Sequence, residues 1–125
     1  MTVLQGALAE RDSWSAVGHC PIEQTMAVVG TKSAMLVMRE AYYGTTRFDD
    51  FARRVGITKA AMSARLSELV AAGLLAKQPY REPGQRSRDE YVLTDAGTEF
   101  MPVVWAMFEW GRKHLEDSRL RLSHL

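Results

Sequence analysis

A chain of 125 residues can hold one modest core and is read as a single domain over 1–125, with 46% hydrophobic and 25% charged residues, the proportions of an ordinary globular protein. No apolar run approaches the ~18 residues of a membrane span, and the acidic-leaning start, MTVLQGALAERDSW, lacks the basic flank and apolar centre of a secretory signal. One cysteine excludes an internal disulfide and a structural zinc site, which suits a reducing cytoplasm, and the net charge of +1 argues mildly against a nucleic-acid partner.

The first boundary is Cys20-Pro21-Ile22-Glu23. Proline at a first helical position and an acid in the first turn start a short helix over 21–29, which Gly30 ends. A second helix is expected over 32–43, with Ala34, Leu36, Val37, Met38 and Ala41 as its apolar faces and Gly44 as its stop. Thr45 or Thr46 is placed to cap a third over 47–55, where Phe48, Phe51, Ala52 and Val55 fall at helical spacing. Past Gly56, Thr58 caps a fourth helix over 59–72, with a core stripe at Met62, Leu66, Leu69 and Val70. Gly73 ends it. Two strands, 74–80 and 89–93, then flank a Pro83-Gly84 turn. Thr94 caps a long last helix to about residue 116, which Pro102 is expected to kink, and the chain from Ser118 on is expected to fray.

Charge is unevenly spread. Residues 1–31 carry net −2 and residues 94–125 net −1, whereas residues 32–93 hold eleven basic and seven acidic side chains, net +4. A phosphate-binding surface needs such a local excess rather than a basic total. Within that middle stretch, the face of the fourth helix opposite its core stripe carries Ala60, Ser63, Ala64, Ser67 and Ala71. Exposed helix faces normally carry long charged side chains. Small ones let the backbone approach base edges, with serine hydroxyls bonding bases or phosphates. Thr58 and Lys59 at the helix start would meet a phosphate favoured by the helix dipole, and Arg65 on the flank could reach a phosphate or a guanine. The competing reading is a small-residue face packed against another helix.

The hairpin weighs on that choice. Lys77, Arg81, Arg86 and Arg88 set four cations against Glu82 around the turn, which suits phosphate contacts and insertion into a narrow minor groove. A solvated basic loop is the plainer alternative. Its position straight after a helix-turn-helix favours binding. The expected architecture is mainly α with a small β-hairpin wing, a winged helix-turn-helix whose DNA-binding core spans about 32–93.

This order of elements resembles the HxlR family of bacterial transcriptional regulators, close relatives of the MarR type. The matching residues are Cys20-Pro21-Ile22-Glu23, Gly30-Thr31-Lys32, Leu36, Arg39-Glu40, Arg47-Phe48, Met62 to Leu69, Gly73-Leu74, Tyr80, Pro83, Glu90 to Thr94, Gly97 and Pro102. The resemblance runs from Cys20 to roughly Trp110. It implies a homodimer that grips a two-fold operator in double-stranded DNA, most often as a repressor, with no cofactor. Ser33 stands where the family usually has tryptophan, so packing or a ligand cavity near the second helix is expected to differ.

The terminal segments, about 5–30 and 94–117, are expected to be dimerisation helices. Met101, Val104, Phe108 and Leu115 form an apolar stripe flanked by Trp105 and Trp110, more than a small core can cover; burial within the chain is the alternative for each of them. Pairing has a functional reason, since one recognition helix reads few base pairs and two about 34 Å apart reach useful specificity. Cys20, with His19 beside it, stands at a helix start, where dipole and imidazolium would favour a thiolate. It is a candidate sensor of oxidants or electrophiles, or else a structural helix-start residue. His114 and His124 have no metal-ligand partners at usable spacing.

Two other function classes are weaker. An enzyme would need Cys20 and His19 as nucleophile and base, but adjacent residues rarely face each other productively, and no oxyanion hole or Gly-rich phosphate loop is evident. A winged helix used only for protein contacts would have no need of an arginine-rich wing.

Overall fold

The computed structural model describes Gly6, Glu10 and residues 20–115. Half of the expected N-terminal dimerisation segment, His19, the expected frayed end and His124 lie outside the described residues. Six helices and one hairpin follow in order: α1 (Pro21–Val29), α2 (Lys32–Tyr42), α3 (Phe48–Val55), α4 (Lys59–Ala71), β1 (Leu75–Tyr80), β2 (Arg88–Leu93), α5 (Asp95–Glu99) and α6 (Met101–His114).

Threonine starts the two helices that frame the core. The Thr31 hydroxyl accepts the Ala34 N–H and the Thr58 hydroxyl accepts the Ala61 N–H, both at 3.1 Å, so each satisfies an amide that the first turn leaves without a partner. Inside, the expected apolar stripes meet. Val37, Met38 and Ala41 of α2, Phe51 and Ala52 of α3, and Met62, Leu66 and Leu69 of α4 form one buried cluster with Val29 and Leu75. Val55, Ile57 and Val70 pack at its edge. Between α3 and α4 the chain turns through Gly56, whose φ of +78° is a left-handed conformation that glycine adopts without strain.

The exit from α4 fixes the hairpin base. The Leu74 N–H reaches back to the Leu69 carbonyl and the Gly73 N–H to the Val70 carbonyl, each at 3.0 Å, a Schellman closure that aims the chain directly into β1. β1 and β2 pair antiparallel from Leu75 opposite Leu93 to Tyr80 opposite Arg88. Thr94 then locks the base: its hydroxyl donates to the Gly73 carbonyl at 2.5 Å and accepts the Gly97 N–H at 3.0 Å. Tyr42 of α2 secures the same corner by donating its phenol to the Gly97 carbonyl at 2.6 Å, and burial pushes that phenol up to about 12.

Two local expectations need correction. Neither Thr45 nor Thr46 caps α3; the residue before it is Arg47, in extended conformation and without a side-chain cap. The cause is tertiary. The Thr46 carbonyl accepts the Tyr91 N–H at 2.7 Å and Arg47 forms a bridge with Glu90, so this segment is pulled against β2 before the helix can begin. The last helix is not one kinked rod over 94–116 either. It breaks at Phe100 into α5 and α6, because Pro102, in the first turn of α6, has no N–H to continue the earlier ladder.

Gly97 is the tightest backbone contact in this corner: an added Cβ would lie 2.0 Å from the Leu74 carbonyl oxygen. Gly97→Ala is expected to cost roughly 1–3 kcal/mol, as overpacking against unyielding backbone does. A urea melt read by circular dichroism measures it, with Ala106→Gly on exposed α6 as a control of smaller effect.

Candidate nucleic-acid interface

The α4 surface divides as its periodicity requires. Met62, Leu66 and Leu69 are fully buried, while Ala60, Ser63, Ala64, Ser67 and Ala71 are exposed. No described element lies over this face, so the packed-helix alternative has no support among the described residues. At its N-terminal end, the Thr58 hydroxyl is engaged as the cap. Lys59 pairs with Asp49 at 3.6 Å, with both side chains mostly in solvent. Such a pair contributes under about 1 kcal/mol and yields readily to a stronger anion.

Arg65, expected on the flank of α4, is engaged there by the protein itself. Its side chain is 23% exposed and turns back onto the body, the guanidinium donating to Glu68 at 3.0 Å and to the Thr31 hydroxyl at 3.4 Å. It ties α4 to the start of α2 and is not grouped with Ser63 and Ser67.

The hairpin projects beside α4. Its tip is a tight turn in which the Gln85 N–H bonds the Glu82 carbonyl at 3.0 Å, with Pro83 and then Gly84 (φ +77°) at the central positions, as a type II turn demands. Arg81 is folded over this turn, its Nε donating to the Gln85 carbonyl at 2.8 Å. Lys77 pairs with Asp89 at 3.5 Å, so this cation is compensated. Arg86 and Arg88 are exposed, and among the described residues no carboxylate pairs with either.

One cation at the wing escaped the sequence reading. Arg47, just before α3, donates to the Glu82 carboxylate and lies over the Tyr80 ring, 4.2 Å from its centroid. The hydrogen bond to Glu82 holds the guanidinium pKa above its ordinary value. Across the strand pair, hydrogen bonds from Gln78 and Thr46 keep the Glu90 carboxyl below the usual carboxylate range. The partners of Arg47 lie 33 and 35 residues away in the chain, so no local pattern reveals them.

On and just after α6, Met101, Trp105, Phe108 and Leu115 are exposed and Val104 is half-buried; Leu115 sits just past the end of α6. Trp105 stacks on Phe108 with ring centroids 5.3 Å apart. Val103, Met107 and Trp110, absent from the expected stripe apart from the last as a flank, are exposed as well, as are Ile22 and Met26 of α1. An open groove of about 1000 Å³ runs between α2 and α6, lined by Leu36, Arg39, Tyr43, Met107 and Phe108 among others. Cys20 is 7% exposed, more deeply covered than its helix-start position suggested, and makes no side-chain capping bond. Among the described residues no cluster of His, Cys, Asp or Glu could hold a metal, and no helix is long and apolar enough to cross a membrane.

Comparison with known proteins agrees with this geometry. The HxlR-like helix-turn-helix family model matches residues 28–119. An uncharacterised HTH-type transcriptional regulator of Mycobacterium bovis is 33% identical over 106 residues, covering 82% of this chain and 66% of its own length. The chain thus spans just under two thirds of that relative. YybR of Bacillus subtilis, also an uncharacterised HTH-type regulator, is 33% identical over 97 residues, 76% of this chain and 75% of its own. Among solved structures, PA1607, described as a candidate transcription factor, superposes with a TM-score of 0.74 at 32% identity, covering 86% of this chain and 75% of that one. The redox regulator HypR in its reduced form gives a TM-score of 0.69 at 31% identity over 77% and 94%. With its winged helix fold, this chain belongs to the HxlR-like helix-turn-helix family of transcriptional regulators.

Proposed function

We propose that the protein is a homodimeric, sequence-specific DNA-binding repressor. The observation that carries this reading is the pairing of a bare, small-residue face on α4 with two uncompensated wing arginines, Arg86 and Arg88. The α4 face, through Ala60, Ser63, Ala64 and Ser67, enters a major groove. Thr58 and Lys59 meet the adjoining phosphate, with Arg65 a second-rank contact because it must first leave Glu68. Arg81, Arg86 and Arg88 take the neighbouring backbone or minor groove. Duplex DNA held this way shows log affinity falling steeply with log salt. In a gel shift with DNA from upstream of its own gene, Arg86→Ala with Arg88→Ala weakens binding to every sequence and lowers the salt slope by about 2. Ser63→Leu instead harms chiefly the specific site. Equal losses on specific and unrelated duplexes for both variants would refute the groove assignment.

The dimer reading rests on α6. At ~100° per residue, the series Trp110, Val103, Met107, Val104, Met101 and Trp105 sweeps more than half of the helix circumference. A surface helix of one chain needs a much narrower apolar stripe, and a helix this apolar is normally enclosed. Trp105 is 55% and Trp110 59% exposed, so the described chain leaves them uncovered. A second copy, contributing the same stripe across a two-fold axis and partly filling the groove beside α2, covers them. Met101→Glu with Trp105→Glu is expected to give a monomer in sedimentation equilibrium with its helix content kept. A variant that stays dimeric would count against this stripe.

Release of DNA by a small-molecule or redox signal is the regulatory part of the proposal. It is supported by the likeness to HypR, which is described as a redox regulator in reduced and oxidised forms. Cys20 is the one thiol that could serve, and its burial means that an oxidant reaches it only after local opening. With one thiol per chain the products are an intersubunit or mixed disulfide or an oxyacid. Cys20→Ser is expected to abolish any diamide-induced change in operator affinity; an unchanged response in that variant removes the redox arm.

A further inference from the structure

We infer that Arg47 is the positioning residue that sets the angle of the wing against α4, an assignment that rests on the DNA-binding reading above and extends it. The hairpin is anchored at its base, where Leu75, Leu93 and Thr94 join the body, and its outer half projects. From Leu75 to Tyr80 it extends roughly 17 Å at ~3.3 Å per residue. A rotation of about 10° at the base therefore moves the tip by about 3 Å, a full hydrogen-bond length, enough to separate an arginine from its phosphate. Something must hold the outer half, and the hairpin's own pairing cannot, because it turns with the hairpin.

Arg47 spans that gap. It stands immediately before α3, whose Phe51 is buried in the same cluster as Met62 and Leu66, so its backbone is fixed relative to the α4 face. Its bridge with Glu90 and the bond between the Thr46 carbonyl and the Tyr91 N–H grip the middle of β2. Its side chain goes further, over Tyr80 at the end of β1 and on to Glu82. Glu82 is itself the first residue of the tip turn: its carbonyl accepts the Gln85 N–H, and Gln85 in turn receives Arg81. Arg47 is thus a strut from the helix-turn-helix to the loop that carries Arg81 and Arg86. The ion pair is half exposed and adds little to stability, so its consequence lies in geometry.

The strut makes a prediction opposite in sign to charge counting. Glu82→Ala removes an anion from a surface that faces phosphates, and electrostatics alone makes such a variant bind more tightly. Loss of the strut makes it bind more weakly. The probe is a duplex enriched by the wild-type protein from a random-sequence pool. Glu82→Ala is expected to lose about tenfold in affinity, with the salt slope falling by about 2, as when Arg86 and Arg88 are both replaced by alanine. Added to that double variant, Glu82→Ala is expected to cause no further loss, since contacts already removed cannot be misplaced. Glu82→Gln, which keeps an acceptor for the guanidinium, recovers part of the affinity and reports on the same contact without deleting the side chain. Binding by Glu82→Ala that equals or exceeds wild type with an unchanged slope overturns the inference and leaves the DNA-binding reading standing. A wild-type protein that enriches no duplex overturns both.

Discussion

The seating of α4 on three side chains governs the rest of the molecule. Met62, Leu66 and Leu69 have no exposed surface, and burying groups of this size stabilises by about 2 kcal/mol apiece. Against a net folding stability of roughly 5–15 kcal/mol, that row cannot be changed without loosening the whole cluster it shares with Met38 and Phe51. The same row frees the opposite face. Because helical side chains return every 3.6 residues, fixing one stripe in the core leaves Ala60, Ser63, Ala64 and Ser67 with no structural task, and their small size does not weaken the fold.

How much of this can be read from the sequence follows the range of the interactions. The faces of α2, α3 and α4, the Thr58 cap, the glycine after α4 and the Pro83-Gly84 turn are all written within one or two turns of chain, and the structure places them as the pattern implies. Where the pattern misled, a distant partner had intervened. Thr46 would have made a sound cap, but β2, more than forty residues on, claims its carbonyl through Tyr91. Arg65 lies on the flank of α4, where Glu68, one turn on, and the distant Thr31 hold it against the body, and no local pattern announces the second of these. The last helix is the local exception: a kink was expected at Pro102, and the missing N–H of that proline instead divides the segment into α5 and α6. The candidate interface splits in the same way: its α4 half is local and readable, whereas the bracing of its wing by Arg47 is not.

The hairpin base shows why such a small sheet can carry a function. An isolated two-stranded ribbon is marginal in water. Here the ribbon is continuous with a Schellman closure at one end and with the Thr94 cluster at the other, so its first pairs, Leu75 with Leu93 and Ala76 with Val92, are set by the helices before and after them. The exposed Arg86 and Arg88 lie at the end of the ladder farthest from that base. A wing whose contacts must fall on phosphates needs a second support beyond its own ladder.

The exposed surface of α6 and the bare face of α4 pose the same question. The described residues of one chain leave Trp105 and Trp110 exposed, which favours burial by a second copy. One α4 offers a single helix width, which covers only a few base pairs, too few for useful specificity. The proposed two-fold axis at α6 would resolve both at once, because an isologous contact would cover each stripe with its twin and set two α4 faces at a fixed separation. Helix α2 is then more than a core element. It packs against α6 and shares the buried cluster with α4, so one helix joins the proposed dimer seam to the proposed reading surface. Under the proposed function, a signal acting near α6 would have a short mechanical route to DNA affinity without contact with the DNA itself.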